Sequence, residues 1–209
     1  MNNRWNQFIY RCWAPFYDVF FNHGTFYKAR KQVFQDILFK PNQRVLFVGI
    51  GTGADLTFIP YNDLQVKAID YSEEMLQKAQ DKYKNSSIEF LQMDAQELGF
   101  ESNSFDIVVA SLLLSVVPNP NKSLKEMIRV TKDKGTILIF DKFEPTNKHL
   151  SFGKKMLRPL IKLLGTDIGL SFESVYKNVE KQCKIQEDID VMMKGLYRKI
   201  MLQKKGDKF

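Results

Sequence analysis

The stretch "VLFVGIGTGADL", residues 45–56, decides how this chain is read. Four apolar residues run into Gly49, Gly51 and Gly53, and an acid, Asp55, follows two positions later. An apolar run that ends in glycines reads as a buried strand turning sharply into a helix. Such a turn gathers backbone N–H groups and the positive end of a helix dipole around one point, and glycine lets a ligand approach the main chain there. The plainer reading is a tight strand–helix turn with nothing bound.

Outward from this turn the pattern repeats. Residues 44–49 are the first strand, "QVKAID" at 65–70 the second, "SIEFLQMD" at 87–94 the third, "FDIVVAS" at 105–111 the fourth and "TILIFD" at 136–141 the fifth. Ser72 reads as an N-cap, with Glu73 and Glu74 in the first turn and Met75, Leu76, Ala79 and Tyr83 on one helical face. Asn119 and Pro120 open another helix, which Leu124, Met127, Ile128 and Thr131 carry to a predicted stop at Gly135. The helix behind the glycine turn is short, because Pro60 arrives after about five residues. Near-continuous apolar strands alternating with helices predict an α/β fold, a parallel sheet covered on both faces. "CKIQED" at 183–188 and "LYRKIMLQK" at 196–204 are a sixth and a seventh strand, only about seven residues apart. That gap is too short for a crossover helix, so the last strand is predicted antiparallel beside its predecessor.

Composition narrows the class. With 209 residues, 44% hydrophobic and 26% charged, the chain can bury a core and is expected to be one domain. No apolar run approaches the ~20 residues that span a bilayer, and polar residues interrupt the first twenty in a way no signal peptide would. Cys12 and Cys183 stand apart, with no CxxC and no His pair nearby. They read as small buried residues in a reducing cytoplasm, with no metal site. The formal charge of +7 is uneven: Lys148, Lys154, Lys155, Arg158 and Lys162 lie in an acid-free segment from Lys148 to Thr166.

The ligand is narrowed by two acids. Asp70 stands seventeen residues beyond Gly53, at the tip of the second strand, where a carboxylate can accept hydrogen bonds from both hydroxyls of an adenosine ribose. Gly49, Gly51 and Ala54 also satisfy a dinucleotide fingerprint, but the short helix before Pro60 gives a pyrophosphate little support. Asp94 closes the third strand, placed to accept from an adenine amine, with Met93 and Ala95 against the ring. A plain loop carboxylate or helix cap would explain Asp94 alone.

Together these residues resemble the class I S-adenosylmethionine-dependent methyltransferases over nearly the whole chain. "VLFVGIGTG" resembles that family's first motif, "AIDYSEEML" its second, "MDAQEL" its third, and residues 105–139 its post-adenine strand, helix and fifth strand. "YRCWAPFYDVFF" is similar to the opening of the branch that contains ubiquinone/menaquinone C-methyltransferases and bacterial phosphatidylethanolamine N-methyltransferases. The resemblance implies a Rossmann-like seven-stranded sheet, mostly parallel with an antiparallel last strand, and S-adenosyl-L-methionine as cofactor. It implies a division into an N-terminal helical lid (1–40), a cofactor-binding core (41–145), an acceptor-side insert (146–175) and C-terminal strands (176–209). Gly49, Gly51 and Gly53 would line the methionyl and ribose moieties. Asp70 with its neighbour Tyr71 would meet the ribose side, and Met93, Asp94 and Ala95 the adenine. Ser111 would lie near the sulfonium, and Tyr17 would close over the methionine part. One position departs from the family: two residues before the first glycine, where an acid is usual, stands Phe47, and Asp55 is a conceivable substitute or else an ordinary first-turn acid.

A sulfonium methyl group is already electrophilic, so the protein mainly has to align an acceptor and exclude water. Whether a base is needed depends on the acceptor; Tyr17 and His149 are the catalytic candidates, with Asp141 and Glu144 also near the open face and His23 less well placed. No metal is needed. The segment 148–170 and the N-terminal residues Arg4, Trp5, Phe8, Ile9, Arg11 and Trp13 mix basic and large apolar side chains. Such segments suit either a lid over the cofactor or shallow contact with an anionic membrane, peripheral to its inner face. The acceptor is therefore expected to be a phospholipid amine, a quinone-like lipid or another small molecule, the alternative being a soluble amine, thiol or phenol. Nucleic acid is disfavoured, since "SLLL" stands after the fourth strand in place of an NPPY-like motif. A non-catalytic cofactor-binding subunit and a dehydrogenase are the remaining alternatives.

Overall fold

The computed structural model describes residues 24–144 and 169–206. Seven strands, β1 (Arg44–Val48), β2 (Gln65–Asp70), β3 (Glu89–Gln92), β4 (Phe105–Ser111), β5 (Thr131–Lys142), β6 (Cys183–Met192) and β7 (Tyr197–Lys204), form one sheet. Their order is β3-β2-β1-β4-β5-β7-β6. The first five pair in parallel, while β7 runs antiparallel to both β5 and β6 and so inserts between them. A short hairpin permits this: Met193, Lys194 and Gly195 all take positive φ, at 54°, 56° and 85°.

Four described helices cover the sheet: α1 (Gly24–Phe34), α2 (Glu73–Lys82), α3 (Pro120–Val130) and α4 (Phe172–Lys177). Leu124, Met127 and Ile128 of α3 and Phe172 and Val175 of α4 pack on one face, over Leu46, Val108, Ile137 and Ile200. Val33 and Phe34 of α1 and Leu76 of α2 pack on the other, over Val45, Phe47, Val109, Leu138 and Phe140. The caps are those the sequence predicts. Ser72 accepts from the Met75 N–H, and Asn119 from the Lys122 N–H at 3.0 Å, with Pro120 at the first helical position.

Two boundaries differ from expectation. Helix α3 ends at Val130, where the Thr131 hydroxyl donates to the Met127 carbonyl at 2.6 Å, and β5 begins at once. Gly135 therefore does not stop a helix. It lies in a bulge where the pairing jumps from Phe105–Thr131 to Ile107–Thr136, and a side chain there would meet the Lys132 and Asp106 carbonyls at 2.8 and 3.0 Å. Strand β3 is shorter than 87–94, and the residues after it, Met93 and Asp94, belong to the loop at the functional end of the sheet.

Candidate cofactor site

The carboxyl ends of β1, β2 and β3 meet at the glycine turn. Gly49 and Ile50 N–H groups both donate to the Ile69 carbonyl at 2.9 Å, and the Met93 N–H donates to the Asp70 carbonyl at 3.0 Å. The three sequence motifs are thereby joined by direct hydrogen bonds. Asp70 is the centre of this arrangement: its Oδ2 accepts from Gly51 N–H at 2.7 Å and its Oδ1 from Ser72 N–H at 2.9 Å. Burial raises its carboxyl above the ordinary carboxylate value, while the N–H groups of Ser72, Gly51 and Tyr71 partly offset that rise. A carboxylate offers about four acceptor positions, so with three N–H groups on it one remains for a hydroxyl donor.

The three glycines differ in what they do. All have positive φ, 73°, 57° and 79° at Gly49, Gly51 and Gly53, which disfavours any side chain. A Cβ on Gly49 would strike Leu113 Cδ1 at 2.6 Å, and one on Gly53 would meet the Tyr83 ring at 2.8 Å. Gly51 alone has no heavy atom within 4 Å of that point. The first and third glycines thus admit neighbouring side chains of this same chain, and the second faces open space. Tyr83 also donates its hydroxyl to the Gly53 carbonyl at 3.0 Å, which pins the turn from α2's C-cap.

The turn continues into a short 3₁₀ helix, Ala54–Phe58. Its acid, Asp55, is 5% exposed and is engaged by the Arg30 guanidinium of α1, itself 4% exposed. The proposed substitute for the absent family acid is thus already paired within the protein. Phe47, at the position of that acid, is a core residue under α1. Asp94 is half-buried and shares its carboxylate with Gln96, whose backbone N–H and side-chain amide donate to Oδ1 at 2.8 and 3.0 Å. Gln96 in turn accepts from Asn119 N–H at 3.0 Å, tying this loop to α3's N-cap. Ala95 is buried, Met93 half-buried, and Tyr71 partly exposed.

Ser111 ends β4, and its Oγ is buried with no hydrogen-bond partner. Beyond it Leu112 takes a φ of 55°, and Asp141 holds the following turn by accepting from Ser115 N–H at 3.1 Å. Asp141 is fully buried, and desolvation raises its carboxyl. It serves the loop and has no exposed edge with which to act as a base. Tyr17, His23, His149 and the basic segment from Lys148 lie outside the described residues. Sequence reasoning missed Arg30, Gln96 and Leu113, whose partners are distant in the chain and carry no local signal.

The open cradle at Gly51, the spare acceptor position on Asp70 and the orphaned hydroxyl of Ser111 fit an adenosyl cofactor with a polar amino-acid tail. Among the described residues no group of three His, Cys, Asp or Glu stands together as metal ligands.

The comparisons with known proteins agree with this geometry. A methyltransferase-domain family model matches residues 46–139. The chain is 33% identical over 166 residues to a phosphatidylethanolamine N-methyltransferase of Cereibacter sphaeroides, covering 78% of this chain and 80% of that protein. It is 39% identical over 138 residues to a demethylmenaquinone methyltransferase of Renibacterium salmoninarum, covering 64% of this chain and 56% of the relative. A solved S-adenosylmethionine-dependent methyltransferase of Thermotoga maritima shares the fold at TM-score 0.71 and 18% identity, with 96% of this chain and all of that one covered (100%). The chain is a class I S-adenosylmethionine-dependent methyltransferase, and it belongs to the branch of phosphatidylethanolamine N-methyltransferases and ubiquinone/menaquinone methyltransferases.

Proposed function

We propose that this enzyme methylates a lipid-borne acceptor, the amine of a phospholipid headgroup or the ring of a quinol. The observation that carries the reading is the 33% identity to the Cereibacter sphaeroides phosphatidylethanolamine N-methyltransferase across 80% of that protein. Support for the quinol comes from the demethylmenaquinone methyltransferases, of which the Renibacterium salmoninarum protein is 39% identical but only 56% covered.

Within this reading Asp70, with Tyr71 beside it, accepts on the ribose side and Asp94 from the adenine amine, with Met93 and Ala95 around the base. The N–H groups of Gly49, Gly51 and Gly53 are taken up by Ile69, Asp70 and Ile50, so the turn offers the ribose and amino-acid part a close backbone surface at Gly51. Bound there, S-adenosylmethionine supplies a methyl group activated by its sulfonium. Ser111 and Leu112 form the β4 side of the reacting point, where an apolar, water-poor wall favours dispersal of positive charge. Tyr17 is proposed to close over the methionine part, with His149 or Tyr17 as the group nearest an acceptor proton. Residues 1–40 and 146–175 are proposed as lid and insert, their basic and aromatic content supporting contact with an anionic bilayer. No described helix is long and apolar enough to cross a membrane.

The test is methyl-labelled cofactor with vesicles of phosphatidylethanolamine and phosphatidylglycerol, or with a demethylated quinol in the same vesicles. Enzyme-dependent label in the organic phase supports the reading, and the acceptor that carries it selects between amine and ring carbon. Label confined to water-soluble amines, thiols or phenols of a cell extract overturns it.

A further inference from the structure

We propose that Arg30 and Asp55 are a positioning pair which sets the glycine turn for the cofactor, and that α1 and the cofactor site are thereby coupled. This rests on the reading of residues 49–53 as the cofactor loop. Three left-handed glycines leave that loop with little conformational preference of its own. Something outside it must choose one arrangement. Asp70 holds Gly51 at 2.7 Å and Tyr83 holds Gly53 at 3.0 Å, both from elements that follow the loop within the sheet-and-helix core. The Ile69 carbonyl likewise holds the Gly49 and Ile50 N–H groups from β2, whereas the restraint from Arg30 is different in origin. Arg30 reaches from α1, 25 residues earlier in the chain, and takes the acid in the turn that begins directly after Gly53.

The pair is poorly explained as a device for stability. Both groups are about 5% exposed, and a buried ion pair usually gains no more than two apolar side chains of the same size would. Arg30 Nε is buried without any partner, so the guanidinium is not even fully satisfied. What two charges do that a hydrophobic pair would not is fix direction: the carboxylate is held at one angle, and with it the backbone from Gly53 to Leu56. Because α1 carries Arg30, anything that draws α1 from the sheet loosens the loop. By linkage, a cofactor held in the loop then favours docked α1.

The experiment uses the full chain and four variants: Arg30→Met, Asp55→Leu, the double variant Arg30→Met/Asp55→Leu, and Arg30→Lys. Each single apolar variant leaves a buried charge alone and can fail to fold, so the double variant is the decisive one. It is expected to melt within a few degrees of the parent, while its KM for S-adenosylmethionine rises about tenfold, in the 5–150-fold range of ordinary coupling. Turnover at saturating cofactor should move far less than KM, and Arg30→Lys should recover part of the affinity. A folded double variant with the parent's KM overturns the proposal. Hydrogen exchange of the unmodified protein gives an independent test: S-adenosylhomocysteine should slow exchange across residues 24–34, and unchanged exchange there with clear protection of 49–56 contradicts the coupling. Should the parent bind no S-adenosylhomocysteine at all, the loop assignment itself fails, which is a separate result.

Discussion

At the scale of single residues, one carboxylate organises the cofactor end. Asp70 already accepts from the N–H groups of Gly51 and Ser72, and the role proposed for it toward a ribose rests on its remaining acceptor capacity. Asp70→Ala removes charge-assisted bonds and should weaken S-adenosylhomocysteine by about 1.5–3 kcal/mol, roughly ten- to a hundredfold, in calorimetry. Its raised pKa gives this site a pH signature. The accepting form is the ionised one, so affinity should fall as the pH is lowered, and the fall should begin above the ordinary value of 3.8 for an aspartate. An affinity flat down to the point of acid unfolding would contradict that role. The glycines offer a second contrast. Gly49→Ala collides with Leu113 as well as straining the backbone, whereas Gly51→Ala adds a methyl group in open space and strains it by about 1–2 kcal/mol. The first should appear chiefly as a lower melting temperature and the second chiefly as lost cofactor binding.

At the scale of elements, the passage from α3 to β5 is where local pattern and tertiary structure part. Thr131 continues the helical spacing of Leu124, Met127 and Ile128, and Gly135 looks like the stop. In the fold Thr131 instead caps the helix with its hydroxyl and pairs with Phe105. Gly135 is needed because two carbonyls crowd its missing side chain, so Gly135→Ala should cost about 1–3 kcal/mol in denaturant unfolding while leaving cofactor affinity alone. The strands β2 and β4 and the N-caps Ser72 and Asn119 were legible because their signals are local: apolar runs, a capping hydroxyl, a proline at the first turn. Asp70 was legible for the same reason, since strand tips follow from strand ends. Asp55's partner was not, because Arg30 lies on a helix whose docking depends on the whole sheet. The reasons for Gly49 and Gly53 were hidden likewise, in Leu113 and Tyr83.

At the scale of the molecule, the insertion of β7 between β5 and β6 completes a seven-stranded sheet with all three cofactor motifs at one end. Both faces are closed by helices, and the buried Cys183 reports on that closure. Burial pushes its thiol up to about 11, so it should resist thiol reagents at pH 8 until the protein unfolds. Rapid labelling of Cys183 in the native protein would mean that α4 and β6 do not pack as described. The lipid reading concerns the same open end, where Glu144 N–H meets the Leu170 carbonyl at 2.8 Å and brings together the chain on either side of residues 145–168. That end is proposed to hold the methyl donor and to deliver its methyl group to lipid. The most direct measurement is transfer of labelled methyl from S-adenosylmethionine to phosphatidylethanolamine vesicles, run in parallel with parent and Asp70→Ala protein over a range of cofactor concentrations. Label in the lipid phase, with KM for cofactor raised in the variant, is the predicted result; lipid labelling that is absent with the parent, or indifferent to Asp70, would contradict it.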